Sequence, residues 1–306
     1  MGRQGFYNIL VPLDGSELAE QAVSVAGSLA RRAGGTLRLA AVEEPLPALA
    51  LPSEALIGAV DVEFEARAHT AGYLDSVADG VRRVQDGTVQ TVVLEGPVAS
   101  ALHGYAVDEG IDLVVMTTRG RGGVSRWLTG SVADQLLRRT TVPVVLLHPK
   151  ELPQRTQFGR ILIALDGEIE DPVLEPALAL GALEAGTRYT LTRVVEPAIP
   201  ILTPLALYPS RPGRHHTERL VNEARDYLAG VCEKLASRGV EATYKVLVGR
   251  GIADQVLELA TALGVDCIAV GTHRARGAER VVLGSVADRI VRGAEVPVLI
   301  GPTPRG

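Results

Sequence analysis

The chain carries one pattern twice. Residues 110–145, from Gly110-Ile111-Asp112 to Val142-Pro143-Val144-Val145, align without a gap on residues 264–299, and 14 of the 36 positions are identical. The shared core is Arg-x3-Gly-Ser-Val-Ala-Asp, at Arg126 and Gly130–Asp134 and again at Arg280 and Gly284–Asp288. A second echo opens each half: Ile9-Leu10-Val11-Pro12-Leu13-Asp14-Gly15 against Ile161-Leu162-Ile163-Ala164-Leu165-Asp166-Gly167. The offset is 152 residues at the first echo and 154 at the second, which fits two tandem domains, 1–150 and 151–306. A period of that length is a domain size, whereas stacked-repeat units run roughly 20–50 residues.

Composition sets the class. With 46% hydrophobic and 22% charged residues, the chain reads as a globular protein with a substantial core. No run approaches the ~18 apolar residues a membrane-spanning helix needs. The first residues, Met1 to Phe6, lead straight into a strand-like run without a signal-type apolar region, so the expected compartment is the cytoplasm. The two cysteines, Cys232 and Cys267, make no disulfide framework, and Cys267 sits in an apolar run where a buried, inert thiol is expected. Residues 1–150 hold 13 Lys+Arg against 17 Asp+Glu, and residues 151–306 hold 18 against 19. Neither half is basic, which argues against bulk nucleic-acid affinity. Arg119, Arg121 and Arg126 form a local exception in one loop.

The first half alternates. Apolar strand-like runs at 9–13, 36–42, 89–94, 112–116 and 142–147 are separated by helical stretches at 17–32, 54–83, 98–109 and from 132 onward. Ser16 is placed to cap the first helix and Gly34-Gly35 to stop it, while Gly72 and Gly80 weaken the second. The second half repeats the strands near 161–165, 188–195, 242–248, 266–270 and 296–300. Near-continuous apolar strands alternating with helices predict a doubly wound parallel sheet, covered on both faces, in each half. The halves differ in the loop from Glu196 to Gly213, which holds five prolines and reads as a connector or a lid. His215-His216, assigned to that loop, reads as surface polarity.

In such a sheet a ligand binds beyond the carboxyl ends of the strands, where the strand order reverses. Asp14 ends the first strand, and the loop 117–131 leaves the fourth with Gly120, Gly122, Gly123 and Gly130 before Ser131 opens a helix. Glycines admit backbone N–H groups close to a phosphate, and a helix start adds unpaired donors. Asp14 supplies an acceptor for ribose hydroxyls. The bland alternatives are a turn at Asp14 and a Ser-x-x-Asp cap at Ser131 and Asp134. Recurrence of the ensemble at Asp166, Gly284 and Ser285 favours a nucleotide. No Gly-x4-Gly-Lys-Ser/Thr segment occurs, and none of Lys150, Lys234 and Lys245 lies in a glycine-rich loop. No Gly-x-Gly-x-x-Gly follows either first strand, and the six histidines show no zinc-ligand spacing. Little phosphoryl-transfer catalysis is therefore expected.

These residues resemble the universal stress protein domain, once in each half. The resemblance runs through Val11–Ser16, Glu95–Ala99, Met116–Gly123 and Gly130–Asp134. It implies a five-stranded parallel α/β sheet flanked by helices in each half. It further implies ATP as ligand, bound by Gly-x2-Gly-x9-Gly-Ser/Thr after the fourth strand and an Asp after the first. On that pattern Asp14 meets ribose, Val42 meets adenine, and Gly120, Gly130 and Ser131 line the phosphates; the matching set is Asp166, Val194, Gly271, Gly284 and Ser285. Both halves depart from it. Thr117 stands at the first glycine position of the first half; in the second, Arg274 replaces the second glycine and Glu168 stands where the first half has Ser16. The first half is accordingly the expected ATP site. The function implied is an ATP-dependent regulatory or stress-response protein with an unidentified protein partner; the competing reading is an interaction module with degenerate sites.

Assembly follows from the closing strands. The runs 142–147 and 296–300 are short and apolar, and in the family such strands pair across a two-fold axis. An open apolar edge invites aggregation unless paired. The two halves are therefore expected to pack as an internal pseudo-dimer, with pairing of whole chains left open.

Overall fold

The computed structural model describes residues 5–44, 53–118, 131–148, 157–168, 171–197, 213–272 and 284–302. The first half runs β1 (Asn8–Pro12), α1 (Glu17–Ala33), β2 (Thr36–Glu43), α2 (Ser53–Val84), β3 (Thr88–Glu95), α3 (Val98–Asp108), β4 (Leu113–Thr117), α4 (Ser131–Leu137) and β5 (Val144–Leu147). The second runs β6 (Arg160–Ala164), α5 (Leu174–Gly181), β7 (Arg188–Val195), α6 (Gly213–Ala236), β8 (Ala242–Val248), α7 (Ile252–Leu263), β9 (Cys267–Val270), α8 (Ser285–Gly293) and β10 (Val298–Ile300).

Alternation along the strands builds two apolar layers. In β1, Ile9 and Val11 face one layer with Leu29 of α1, Leu74 of α2, Leu180 of α5 and Leu228 of α6. Leu10 faces the other, with Leu102 of α3, Leu136 of α4, Leu259 of α7 and Ile290 of α8. Each layer contains residues of both halves. Burying one such side chain is worth about 1.5–3 kcal/mol, so each layer far outweighs any single surface contact.

Local signals set the helix ends. The Ser16 hydroxyl accepts Ala19 N–H at 3.2 Å at the start of α1. Gly34, at φ 62°, turns the chain out, and Gly35 N–H returns to the Ala30 carbonyl at 2.8 Å. Helix α2 is continuous despite Gly72 and Gly80, because buried Leu74, Ala78 and Val81 hold its inner face. The final strands are shorter than the apolar runs: β5 starts at Val144 and β10 at Val298, each just after a proline that cannot donate to a ladder. His215-His216 is corrected by the structure: the pair lies in the first turn of α6, beyond the loop, with His216 Nδ1 3.2 Å from Arg219. Loop residues 198–212 lie outside the described residues.

The ten strands form one sheet in the order β3-β2-β1-β4-β5-β10-β9-β6-β7-β8. All neighbours are parallel except at the centre, where β10 pairs antiparallel with β5 in the register Val298↔Leu146, Leu299↔Val145 and Ile300↔Val144. Every residue of those two strands is buried. The outer strands differ: β8 carries exposed Thr243 and Lys245, and β3 carries exposed Thr88 and Gln90, the polar marking that discourages further pairing. The expected internal pseudo-dimer is thus present as a joined sheet.

A charge pair crosses the same junction. Arg32, at the end of α1, meets Glu184 just beyond α5, with the two side chains 18% and 16% exposed. Burial, with Arg31 adjacent, pulls the Arg32 pKa below its ordinary value, so the guanidinium is costly to leave uncompensated. The two positions are equivalents, separated by the 152-residue offset that relates the halves. A symmetric pair of first halves would bring Arg32 against Arg32. Arg32→Glu in the full chain is expected to cost about 2–4 kcal/mol in denaturant unfolding by placing two half-buried carboxylates together. Adding Glu184→Arg should restore at least half of that loss; additive losses would contradict the pairing.

Candidate functional site

The order 3-2-1-4-5 of the first half reverses direction between β1 and β4, and the second half does the same between β6 and β9. At each reversal the flanking connections leave on opposite faces of the sheet, opening a crevice at the carboxyl ends of the strands.

In the first half, β1 and β2 register Pro12 with Ala40, and Leu13 N–H donates to the Ala40 carbonyl at 2.7 Å. Asp14 follows at the crevice mouth, exposed, with half-buried Val42 at the end of β2. The Asp14 carboxylate is held in place: Oδ1 accepts Ser16 N–H at 3.0 Å and the Ser16 hydroxyl at 2.5 Å. Gly15, at φ 76°, makes that turn possible. Ser16 therefore caps α1 and orients Asp14 at once. Thr117 closes β4 as a buried residue. Gly120 and Gly130, with Arg119, Arg121 and Arg126, lie outside the described residues. Ser131 opens α4, and its side chain is likewise outside them.

In the second half, Leu165 N–H donates to the Thr192 carbonyl at 2.9 Å, and Asp166 follows. Glu168 N–H donates to Asp166 Oδ1 at 2.8 Å, so the turn survives loss of the serine. Asp171 takes over at the helix entry, accepting Val173 N–H at 3.1 Å. Gly271 follows β9, whose Val270 registers with Ala164 of β6; a Cβ there would stand 3.1 Å from Asp171 Oδ1. Val194 is half-buried near the end of β7. Gly284 precedes α8 and Ser285 begins it, with no side-chain cap. Asp166, Val194, Gly271, Gly284 and Ser285 are thus at strand ends or helix entries of one half. Arg274 lies outside the described residues.

The Ser131 half of the Ser-x-x-Asp alternative lies outside the described residues, and the acids have partners of their own. Asp134 is bound through both oxygens by Arg138, at 2.9 and 3.0 Å, and Asp288 by Arg292 at 2.8 and 3.0 Å. These are pairs one helical turn apart.

Two features escape sequence reading. Tyr73 of α2 and Tyr227 of α6, 154 residues apart, both stand beside a crevice acid. The Tyr73 hydroxyl donates to Glu20 at 3.0 Å; burial, then Glu20 and Asp14, push its pKa up. The Tyr227 hydroxyl donates to the Glu168 carbonyl at 2.8 Å, and burial, then Asp171 and Asp166, raise its pKa to about 12. The repeated Tyr-Leu pair in these helices was the available signal. The second feature is Arg193 of β7. Its guanidinium carbon lies 5.7 Å from the Tyr227 ring centroid.

A cavity of about 600 Å³ lies elsewhere, at the amino ends of the strands, lined by Phe6, Asp112, Glu175, Thr187, Tyr189 and Glu241. Among the described residues no helix is long and apolar enough to cross a membrane.

The model of the universal stress protein family matches residues 5–148 and again 157–302. The chain belongs to the universal stress protein family, as a tandem of two such domains. A universal stress protein of Mycobacterium tuberculosis is 30% identical over 200 residues, covering 62% of this chain and 61% of that relative, so the match spans less than two thirds of its length. One from Mycolicibacterium smegmatis is 26% identical over 295 residues, covering 96% of both. Among solved structures, a universal stress protein from Archaeoglobus fulgidus superposes with a TM-score of 0.65 at 18% identity, covering 97% of this chain and 98% of that one. That likeness shows the fold.

Ser16→Ala is expected to cost about 1 kcal/mol of stability through the lost cap, read by denaturant unfolding. An unchanged midpoint would mean that the cap contributes nothing.

Proposed function

We propose that the chain is an ATP-binding regulatory protein of the stress response, that the nucleotide binds in the first half, and that the protein turns it over slowly at most. The observation that carries this reading is Asp14, fixed by two hydrogen bonds from Ser16 at the mouth of the β1–β4 crevice. A pre-set carboxylate suits a pair of ribose hydroxyls, which donate hydrogen bonds to it without a conformational cost. Val42 at the end of β2 flanks the adenine, and the sequence Gly120…Gly130-Ser131 supplies glycines and the entry of α4 for the phosphates. The chain's own residues bind and orient; its sequence contributes no lysine in a glycine-rich loop to draw charge off a leaving phosphate.

Isothermal calorimetry with ATP tests the assignment. Asp14→Ala is expected to weaken binding about tenfold or more, as loss of a charge-assisted hydrogen bond of about 1.5–3 kcal/mol would. Gly130→Val should weaken it further by blocking backbone approach. Unchanged affinity in both variants would place the site elsewhere, and absence of ATP binding by the wild-type chain would favour a nucleotide-independent interaction module. Hydrolysis is expected to stay well below about 1 s⁻¹, the low end of ordinary enzyme turnover; sustained faster release of phosphate would overturn the non-catalytic reading.

A further inference from the structure

The most consequential difference between the two crevices near the end of the second strand falls at position 41 of the first half and its equivalent in the second. Position 41 in β2 is a buried alanine, and its equivalent in β7, 152 residues on, is Arg193. The Arg193 side chain folds back over the turn that carries Asp166. A Cβ built on Gly167 would fall 2.3 Å from the Arg193 guanidinium carbon and 2.5 Å from Nη1, so this glycine, at φ 98°, is overlaid by the cation. The guanidinium also stacks toward Tyr227 of α6, 5.7 Å from the ring centroid, and Tyr227 is tied to the same turn through the Glu168 carbonyl at 2.8 Å. After burial, the largest cause, the charges of Asp171, Asp166 and Glu168 push the Tyr227 phenol pKa up and the Arg193 cation pulls it down. In the first half Tyr73 occupies the equivalent helix position, but no side chain larger than a methyl extends from position 41.

We infer that Arg193 closes the second crevice from within: laid over Gly167 and braced by Tyr227, its guanidinium takes the space beside Asp166 that a nucleoside would need, so that a chain binds adenine nucleotide in one half only. This rests on the nucleotide reading of the first half and adds, to the replacements at Arg274 and Glu168, a residue that fills the second crevice. A phosphate-binding role for Arg193 fits less well. The guanidinium already lies over the Gly167 turn and toward the Tyr227 ring, and an incoming anion would have to draw it off that turn and that aromatic face. The arrangement has the character of an internal ligand, with a guanidinium held by ring and turn where the first half has only the methyl of Ala41.

The test counts ATP bound per full-length chain by equilibrium dialysis at saturating nucleotide. The wild type is expected to bind about one, and Arg193→Ala, which installs the first half's residue, about two. Arg193→Gln, neutral and shorter, should give the same gain and guards against a folding defect in the alanine variant. In the Arg193→Ala/Asp14→Ala chain, a titration should show the added ATP bound as in the single variant and the original one about tenfold more weakly. A wild type that already binds two, or variants that fold as judged by circular dichroism yet bind no more than the wild type, would overturn the inference. The nucleotide reading is judged separately, by the wild-type count. A wild type binding none beside an Arg193→Ala chain binding one would remove the first-half assignment and keep the closure by Arg193.

Discussion

Everything in this molecule hangs on the antiparallel contact between β5 and β10. Each half alone would end in a short strand that is apolar on both sides, with its outer row of N–H and C=O groups unmet. Joined, the two strands satisfy each other and turn two five-stranded sheets into one of ten. The layers above and below then run through the junction: Val145 and Leu299 share one apolar layer, and Val144 and Val298 the other. The sheet ladder and the packing therefore reinforce one another, since breaking the ladder would expose both layers.

Because the join is approximately two-fold, the halves began as equals in geometry and differ only where their sequences do. Arg32 and Glu184 illustrate this on the junction itself: one position, duplicated, now holds opposite charges that meet. Ala41 and Arg193 illustrate it at the crevices. A duplicated chain can change one copy of a site while retaining the other, a freedom that a dimer of identical subunits lacks.

The sequence was most informative where a short-range rule decides the outcome. All ten strands were visible as apolar runs, and the Ser16 cap and Gly34 stop follow from side-chain chemistry alone. Strand ends were less well read: Val142 and Val296 continue the apolar pattern, but Pro143 and Pro297 delay the ladder. Gly72 and Gly80 weaken the helical pattern of α2, and the packing of Leu74, Ala78 and Val81 overrides them. At the site, Asp14 and Asp166 stood out because they end strands in a repeated motif. Arg193 did not, because its contacts with Gly167 and Tyr227 join three separate elements and no local pattern encodes them. At Asp134 two equally local rules apply: the spacing to Ser131, whose side chain lies outside the described residues, and the pairing one turn on with Arg138, which holds the carboxylate.

The most direct test of the joined sheet is native-state hydrogen exchange on the full chain, followed at the amides of Val144–Leu147 and Val298–Ile300. Strands at the centre of a cooperative sheet open only with the global transition and show protection close to the full unfolding free energy. The account predicts that these amides exchange as slowly as those of β1 and β6. Exchange about 100-fold faster than β1 and β6, at the rate of the outer strands β3 and β8, would mean that the two halves end in open edges and that the central pairing does not hold in solution.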